Sequence, residues 1–110
     1  MYVIVWEFRV KAGSIPEFES AYGSAGDWAQ FFSRGVGYLG TQLLRDSEDA
    51  GTCVTFDRWT SQQDYENFKR EHTEEYRKLD AQFELMTDGE TFIGAFQKAD
   101  LAGEPQRESA

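Results

Sequence analysis

The chain has 110 residues, enough for one compact domain and too few for two independent cores. Hydrophobic residues at 40% and aromatics at 15% exclude general disorder, no apolar run approaches the roughly 18 residues of a membrane span, and no basic patch precedes an apolar leader, so a cytoplasmic globular protein is expected. Eleven Lys and Arg against twenty Asp and Glu leave a net charge of −9 with no basic run, which argues against nucleic acid and anionic membrane surfaces while tolerating neutral or cationic small molecules.

Met1 to Val10 is dense in β-branched and aromatic residues and meets no breaker before Gly13, which predicts a first strand. Alternation puts Tyr2, Ile4, Trp6, Phe8 and Val10 on one face and Val3, Val5, Glu7 and Arg9 on the other. Ser14 as a cap, Pro16 in the first turn and Glu17 three residues on from the cap predict a helix from about residue 15. The cluster Gly23-Ser-Ala-Gly26 interrupts it near Tyr22, and Asp27 with Gln30 offers a cap for a short segment bearing Trp28, Phe31 and Phe32. Tyr38 to Asp46 and Thr52 to Thr60 read as the two strands of a hairpin around a polar turn. Ser61 with Asp64 caps a helix that meets no Gly or Pro before about Met86. At 100° per residue Tyr65, Phe68, His72, Tyr76, Leu79, Phe83 and Met86 fall within about 40° of His72, a narrow stripe opposite a charged face. Asp88-Gly89 breaks the chain, and Glu90 to Gln97 supplies a fourth strand. Residues 98–110 lack periodicity and aromatics and are expected to be a disordered tail, which leaves 1–97 as the domain.

The order β-α-β-β-α-β in so short a chain is the ferredoxin-like α+β arrangement, two helical layers' worth of cover on one face of a four-stranded antiparallel sheet. With the other face bare, the row Tyr2, Ile4, Trp6 and Phe8 is assigned to it. At roughly 1.5–3 kcal/mol per buried apolar side chain that row favours a homodimer joined sheet to sheet. A single Cys and a single His exclude an intrachain disulfide and a Cys/His metal spacing. The glycines at 35, 37 and 40 precede a strand instead of opening a helix, so no flavin or nicotinamide cradle is present.

Taken together, several segments resemble the antibiotic biosynthesis monooxygenase domains of the dimeric α+β barrel superfamily across about residues 2 to 97. They are Tyr2-Val-Ile-Val-Trp-Glu-Phe-Arg-Val10, the break at Tyr22-Gly23 and Gly26-Asp27-Trp28, Gly37-Tyr38-Leu39-Gly40-Thr41, Asp57-Arg58-Trp59, Phe68 with His72, Tyr76 and Leu79-Asp80, and Thr87 with Glu90 and Ile93-Gly94-Ala95-Phe96. The resemblance implies a dimeric barrel with a ligand cavity between sheet and helices. It also implies a cofactor-independent monooxygenase that oxidises a small phenol, quinol or anthrone-like molecule with dioxygen. Haem binding or degradation is a second implication, and a dimer that binds small molecules without turnover a third, since the fold does not settle the reaction.

His72, in the middle of the apolar stripe, is the candidate general base or haem ligand, against the alternative of a satisfied core histidine. Glu7, mid-strand and on the side assigned to the helices, would orient it or satisfy a buried neighbour. Tyr22, Trp28, Phe31, Phe32, Tyr65, Phe68 and Tyr76 are the candidate substrate contacts, able to stack on a planar ligand. Asp57 and Arg58, facing oppositely at the end of the third strand, are assigned to the rim or interface, and Asp80 and Glu90 to structural polar contacts. The haem match is incomplete: Glu7 stands where the haem-degrading relatives carry an asparagine, and Phe68 stands in place of their tryptophan.

Overall fold

In the computed structural model, which describes residues 1–99, the aromatic and β-branched segment Tyr2–Val10 forms strand β1. Helices α1 (Ile15–Tyr22) and α2 (Asp27–Phe32) follow, then the hairpin of β2 (Tyr38–Asp46) and β3 (Asp49–Trp59). Helices α3 (Gln62–Glu71) and α4 (Thr73–Phe83) lead into β4 (Thr87–Gln97). The sheet order is β2-β3-β1-β4, antiparallel throughout, which is the expected ferredoxin-like α+β fold. Of the tail assigned to 98–110, all but Lys98 and Ala99 lies outside the described residues, and the Lys98 amide donates to the Met1 carbonyl at 3.0 Å.

The facing of β1 is the reverse of the expectation. Tyr2, Ile4, Phe8 and Val10 are buried in the core with the helical residues Phe18, Tyr22, Phe32 and Phe68. Phe8 lies 5.2 Å from Phe18 and 4.9 Å from Tyr22 between ring centroids. The row proposed for a dimer interface, Tyr2, Ile4, Trp6 and Phe8, is therefore the row that packs under the helices. The physical reason is area: these four large side chains, with Val10, bury more surface than Val3 and Val5 can. Burying the other row would also desolvate Glu7 and Arg9, which on the open face stay part-exposed and exposed.

The helix expected from Ser61 to Met86 is two helices and a 3-10 turn. The N-terminal end forms as predicted, with Ser61 Oγ accepting from the Asp64 amide at 3.1 Å. At His72 the backbone leaves the helical region, at φ −127° and ψ 33°. There the Thr73 hydroxyl donates to the Lys69 carbonyl at 2.9 Å and His72 Nδ1 lies 3.1 Å from the Phe68 carbonyl oxygen. Two consecutive side chains thus compete with amides for the same turn of carbonyls, the local competition that bends helices. The cap expected at Ser14 does not form, because a 3-10 turn at Ala12–Ser14 precedes α1 and leaves that hydroxyl without a capping bond. Gly26, and not Asp27, occupies the position before α2, where a Cβ would sit 2.5 Å from the Ser20 carbonyl oxygen.

Candidate functional site

A cavity of about 240 Å³ lies between the inner face of the sheet and helices α1, α2 and α4. The strand period places its floor: Trp6 and Phe8 on β1, Thr55 and Asp57 on β3, Thr41 on β2 and Glu90 on β4 all point inward. The helical period places its roof, since Trp28 and Phe32 on α2, and Tyr76 and Asp80 on α4, are each one turn apart, while Tyr22 closes α1 at the glycine break. Its walls are aromatic, with Trp28 and Tyr76 in edge contact at 5.1 Å and Trp6 and Phe92 tilted at 5.3 Å.

Asp57 is the chemically distinctive group. Thr41 Oγ1 donates to its Oδ1 at 2.6 Å, and the Tyr38 hydroxyl lies 2.6 Å from the same Thr41 oxygen, so Tyr38 donates to Thr41 and Thr41 to Asp57. Desolvation by burial pushes the Asp57 carboxyl up to about 6, against the opposing effect of the Thr41 hydrogen bond. Burial also raises the phenols of Tyr22 and Tyr76, with the carboxylates of Asp80 and Glu90 adding to it. Glu90 is itself raised, first by burial and then by Asp80 and Glu84. The Trp28 indole N–H is buried beside the Tyr22 phenol, whose rise it opposes.

Of the substrate contacts expected from sequence, Tyr22, Trp28, Phe32 and Tyr76 line this cavity. Phe68 is 2% exposed and belongs to the core, Tyr65 packs on Tyr2 and Trp59, and Phe31 sits between Phe68 and Tyr76, opening onto a separate surface groove. Trp6 and Phe8, expected at an interface, are cavity walls instead. His72 is not among the lining residues; its ring stacks on Phe68 at 4.3 Å. Glu7 is on the opposite face of the sheet, between Val54 and Thr91 in register, and is not brought to His72. Asp57, Asp80 and Glu90 are the functional candidates that the sequence reading assigned elsewhere. For Asp57 the available signal was the inward row Cys53, Thr55, Asp57 and Trp59, in which a carboxylate stands between buried neighbours.

A haem in this cavity would require an axial ligand there; among the described residues the lining offers no histidine, cysteine or methionine, and its phenols, Tyr22 and Tyr76, are held protonated by burial. The residues present do not fit that group. Among the described residues no cluster of three or more His, Cys, Asp or Glu side chains is arranged to hold a metal ion, and no helix is long and apolar enough to cross a membrane.

The family model for antibiotic biosynthesis monooxygenases matches residues 1–82. Among solved structures, the chain is similar to a point variant of SnoaB, a cofactor-independent oxygenase from Streptomyces nogalater. The TM-score is 0.76 at 21% identity, covering 94% of this chain and 97% of that one. The unsubstituted SnoaB structure gives a TM-score of 0.72 with the same identity and coverage. A protein of Deinococcus radiodurans proposed to be an antibiotic biosynthesis monooxygenase gives 0.73 at 10% identity, covering 91% and 94% of the two chains. No protein of curated function matches the sequence. At these identities the likeness to solved structures speaks for the fold.

Proposed function

We propose that this chain, which belongs to the antibiotic biosynthesis monooxygenase family, is a cofactor-independent monooxygenase acting on a small hydroxylated aromatic, with Asp57 as its general base. The observation that carries this reading is a carboxylate raised by burial to about 6 inside an aromatic cavity, where a base poised near neutral pH is most effective. Thr41 engages Asp57 Oδ1, which leaves Oδ2 to take a proton from a substrate hydroxyl. Trp6, Trp28 and Phe32 offer faces on which a planar ring stacks, and they keep water from the reacting carbon.

The deprotonated substrate supplies the electrons. For an anthrone-like substrate, whose CH₂ has passed one proton to the carbonyl oxygen as the enol, the anion left by transfer of that hydroxyl proton to Asp57 gives one electron to dioxygen, and the two radicals join as a carbon-bound peroxide. Loss of the carbon's second proton then breaks the O–O bond, leaving a carbonyl and releasing water. In sum a CH₂ group and one O₂ become C=O and H₂O, with no electrons drawn from a cofactor. SnoaB, whose fold this chain shares, is a cofactor-independent oxygenase.

A dimer joined sheet to sheet fits the same reading, through the open face and not the row first assigned to it. Val5 and Phe56 are register partners on that face, and Leu44 and Phe96 there are 48% and 52% exposed. A second copy related by a two-fold axis would bury them together. We place the protein in the cytoplasm, where its one unpaired thiol, Cys53, stays reduced.

The test is oxygen uptake by purified protein with a panel of hydroquinones and anthrones, without added flavin or metal. The expected result is one O₂ consumed per carbonyl formed, with the rate falling about 10²- to 10⁴-fold in Asp57→Asn. Uptake no faster than the uncatalysed background, or an Asp57→Asn variant as active as the parent, overturns the reading.

A further inference from the structure

Among the described residues the cavity is lined by three carboxylates, Asp57, Asp80 and Glu90, and by no Lys, Arg or His. Four of the chain's eleven cations are paired elsewhere: Arg9 with Asp49, Arg34 with Glu75, Arg45 with Glu19 and Arg77 with Glu74. Among the described residues none of the three cavity carboxylates has an ion-pair partner, although Asp80 lies close enough for its charge to help raise the Glu90 carboxyl. Asp57 sits deep, bonded to the buried Thr41, whereas Asp80 and Glu90 are exposed and form the open end.

The aromatic lining gives an independent indication. Trp6, Tyr22, Trp28 and Tyr76 line the space, and an aromatic ring presents negative electrostatic potential to a guest that meets its face. Aromatic faces beside carboxylates are the arrangement that attracts an ammonium group, by cation–π and direct charge attraction together. The volume of about 240 Å³ lies below the roughly 300–1,000 Å³ usual for drug-sized ligands, which favours one or two fused rings over a tetracycle.

We infer that the substrate is an amine-bearing hydroxyaromatic of one or two rings, its ammonium group seated between Asp80 and Glu90 and its hydroxyl directed to Asp57. The role of Asp57 rests on the monooxygenase reading, whereas the charge preference at the open end does not. An anionic aromatic would meet three like charges and is rejected. A neutral one gains only the stacking.

Isothermal titration calorimetry of the full chain with three matched probes tests this: 2-naphthol, 6-(aminomethyl)-2-naphthol and 6-hydroxy-2-naphthoate. The expected result is that the aminomethyl compound binds about tenfold more tightly than 2-naphthol and the carboxylate at least as much more weakly. In Asp80→Asn/Glu90→Gln, whose exposed substitutions leave the fold unchanged by circular dichroism, the three affinities converge to within about threefold. That convergence separates the site from the general attraction of a chain of charge −9, because most of that charge remains. Equal affinities in the parent, a preference that survives the double substitution, or no saturable binding of any probe each overturns the proposal. Asp57→Asn keeps the charge order if the inference holds, even where oxygen uptake shows that Asp57 is not the base, so the two readings fail separately.

Discussion

Thr41 Oγ1 and Asp57 Oδ1 face each other across the β2–β3 pair, joined by a 2.6 Å hydrogen bond in which the hydroxyl donates. Burial raises the Asp57 carboxyl from 3.8 to about 6, so the folded state holds a proton over a pH range in which the unfolded chain has released it. The stability this contributes is complete below about pH 4 and is lost as pH rises through about 6, amounting to up to about 3 kcal/mol. Asp57→Asn, which has nearly the same shape and no titration, is expected to gain on the parent by that amount between pH 4 and pH 7. Urea unfolding of both proteins across the range measures the difference, and a constant difference refutes the buried, raised carboxyl.

Thr41→Val removes the donor while keeping the shape of the side chain. The hydrogen bond from Thr41 is what opposes burial at Asp57, so its loss is expected to raise the carboxyl by a further unit or so, about the worth of one hydrogen bond to a charged acceptor. Tyr38 loses its acceptor in the same variant. A ¹³C titration of the aspartate side-chain carboxyls reports the shift directly, and a titration curve that moves downward contradicts the assignment of donor and acceptor.

His72 illustrates how a reasonable sequence candidate can be a half-buried packing residue outside the cavity. Its ring stacks on Phe68 at 4.3 Å with an interplanar angle of 25°, and its Nδ1 lies 3.1 Å from the Phe68 carbonyl oxygen. His72→Ala is therefore expected to cost about 1 kcal/mol of stability and to leave a haemin titration superimposable on the parent's. A Soret band that shifts with stoichiometric haemin in the parent and not in the variant restores the haem reading.

The strands and their order were legible because each is bounded by turn residues and because the first and last are crowded with side chains that suit a sheet. Which row of β1 turns inward was not legible from β1 alone. Alternation separates Tyr2, Ile4, Trp6 and Phe8 from Val3, Val5, Glu7 and Arg9, but the choice between rows belongs to the helices, whose Phe18, Tyr22 and Phe32 complete the larger row. Once that choice is inverted, the site inverts with it: Trp6 and Phe8 become cavity walls, and Glu7 passes to the open face. Asp57 was visible as a carboxylate on an alternating strand, yet its role depends on Thr41 from a neighbouring strand, a tertiary relationship. The break at His72 escaped the periodicity because it arises from side chains competing for carbonyls and leaves the apolar spacing intact.

The cap of α3 offers a direct check of the local reasoning. Ser61 Oγ accepts from the Asp64 amide at 3.1 Å, and nothing else in that first turn supplies a side-chain acceptor to the backbone. Ser61→Ala should cost about 1 kcal/mol, read as a lower urea midpoint with an unchanged slope. No loss of stability means that solvent satisfies that amide equally well.

The open face of the sheet makes the last prediction. Phe56 stands at the middle of β3, opposite Val5 of β1 and Gln42 of β2, on the face that no helix covers. Around it Leu44 and Phe96 are each about half exposed, an apolar surface that a second copy of the chain would remove from water. Because a two-fold axis brings each residue of such a face into the interface twice, a single Phe56→Asp substitution places two carboxylates in the apolar contact. Sedimentation equilibrium is expected to show a dimer for the parent and a monomer for the variant at the same concentration. The monomer should remain folded by circular dichroism, since Phe56 takes no part in the core beneath the helices. A parent that sediments as a monomer, or a variant that still dimerises, means that this face is not where two copies meet.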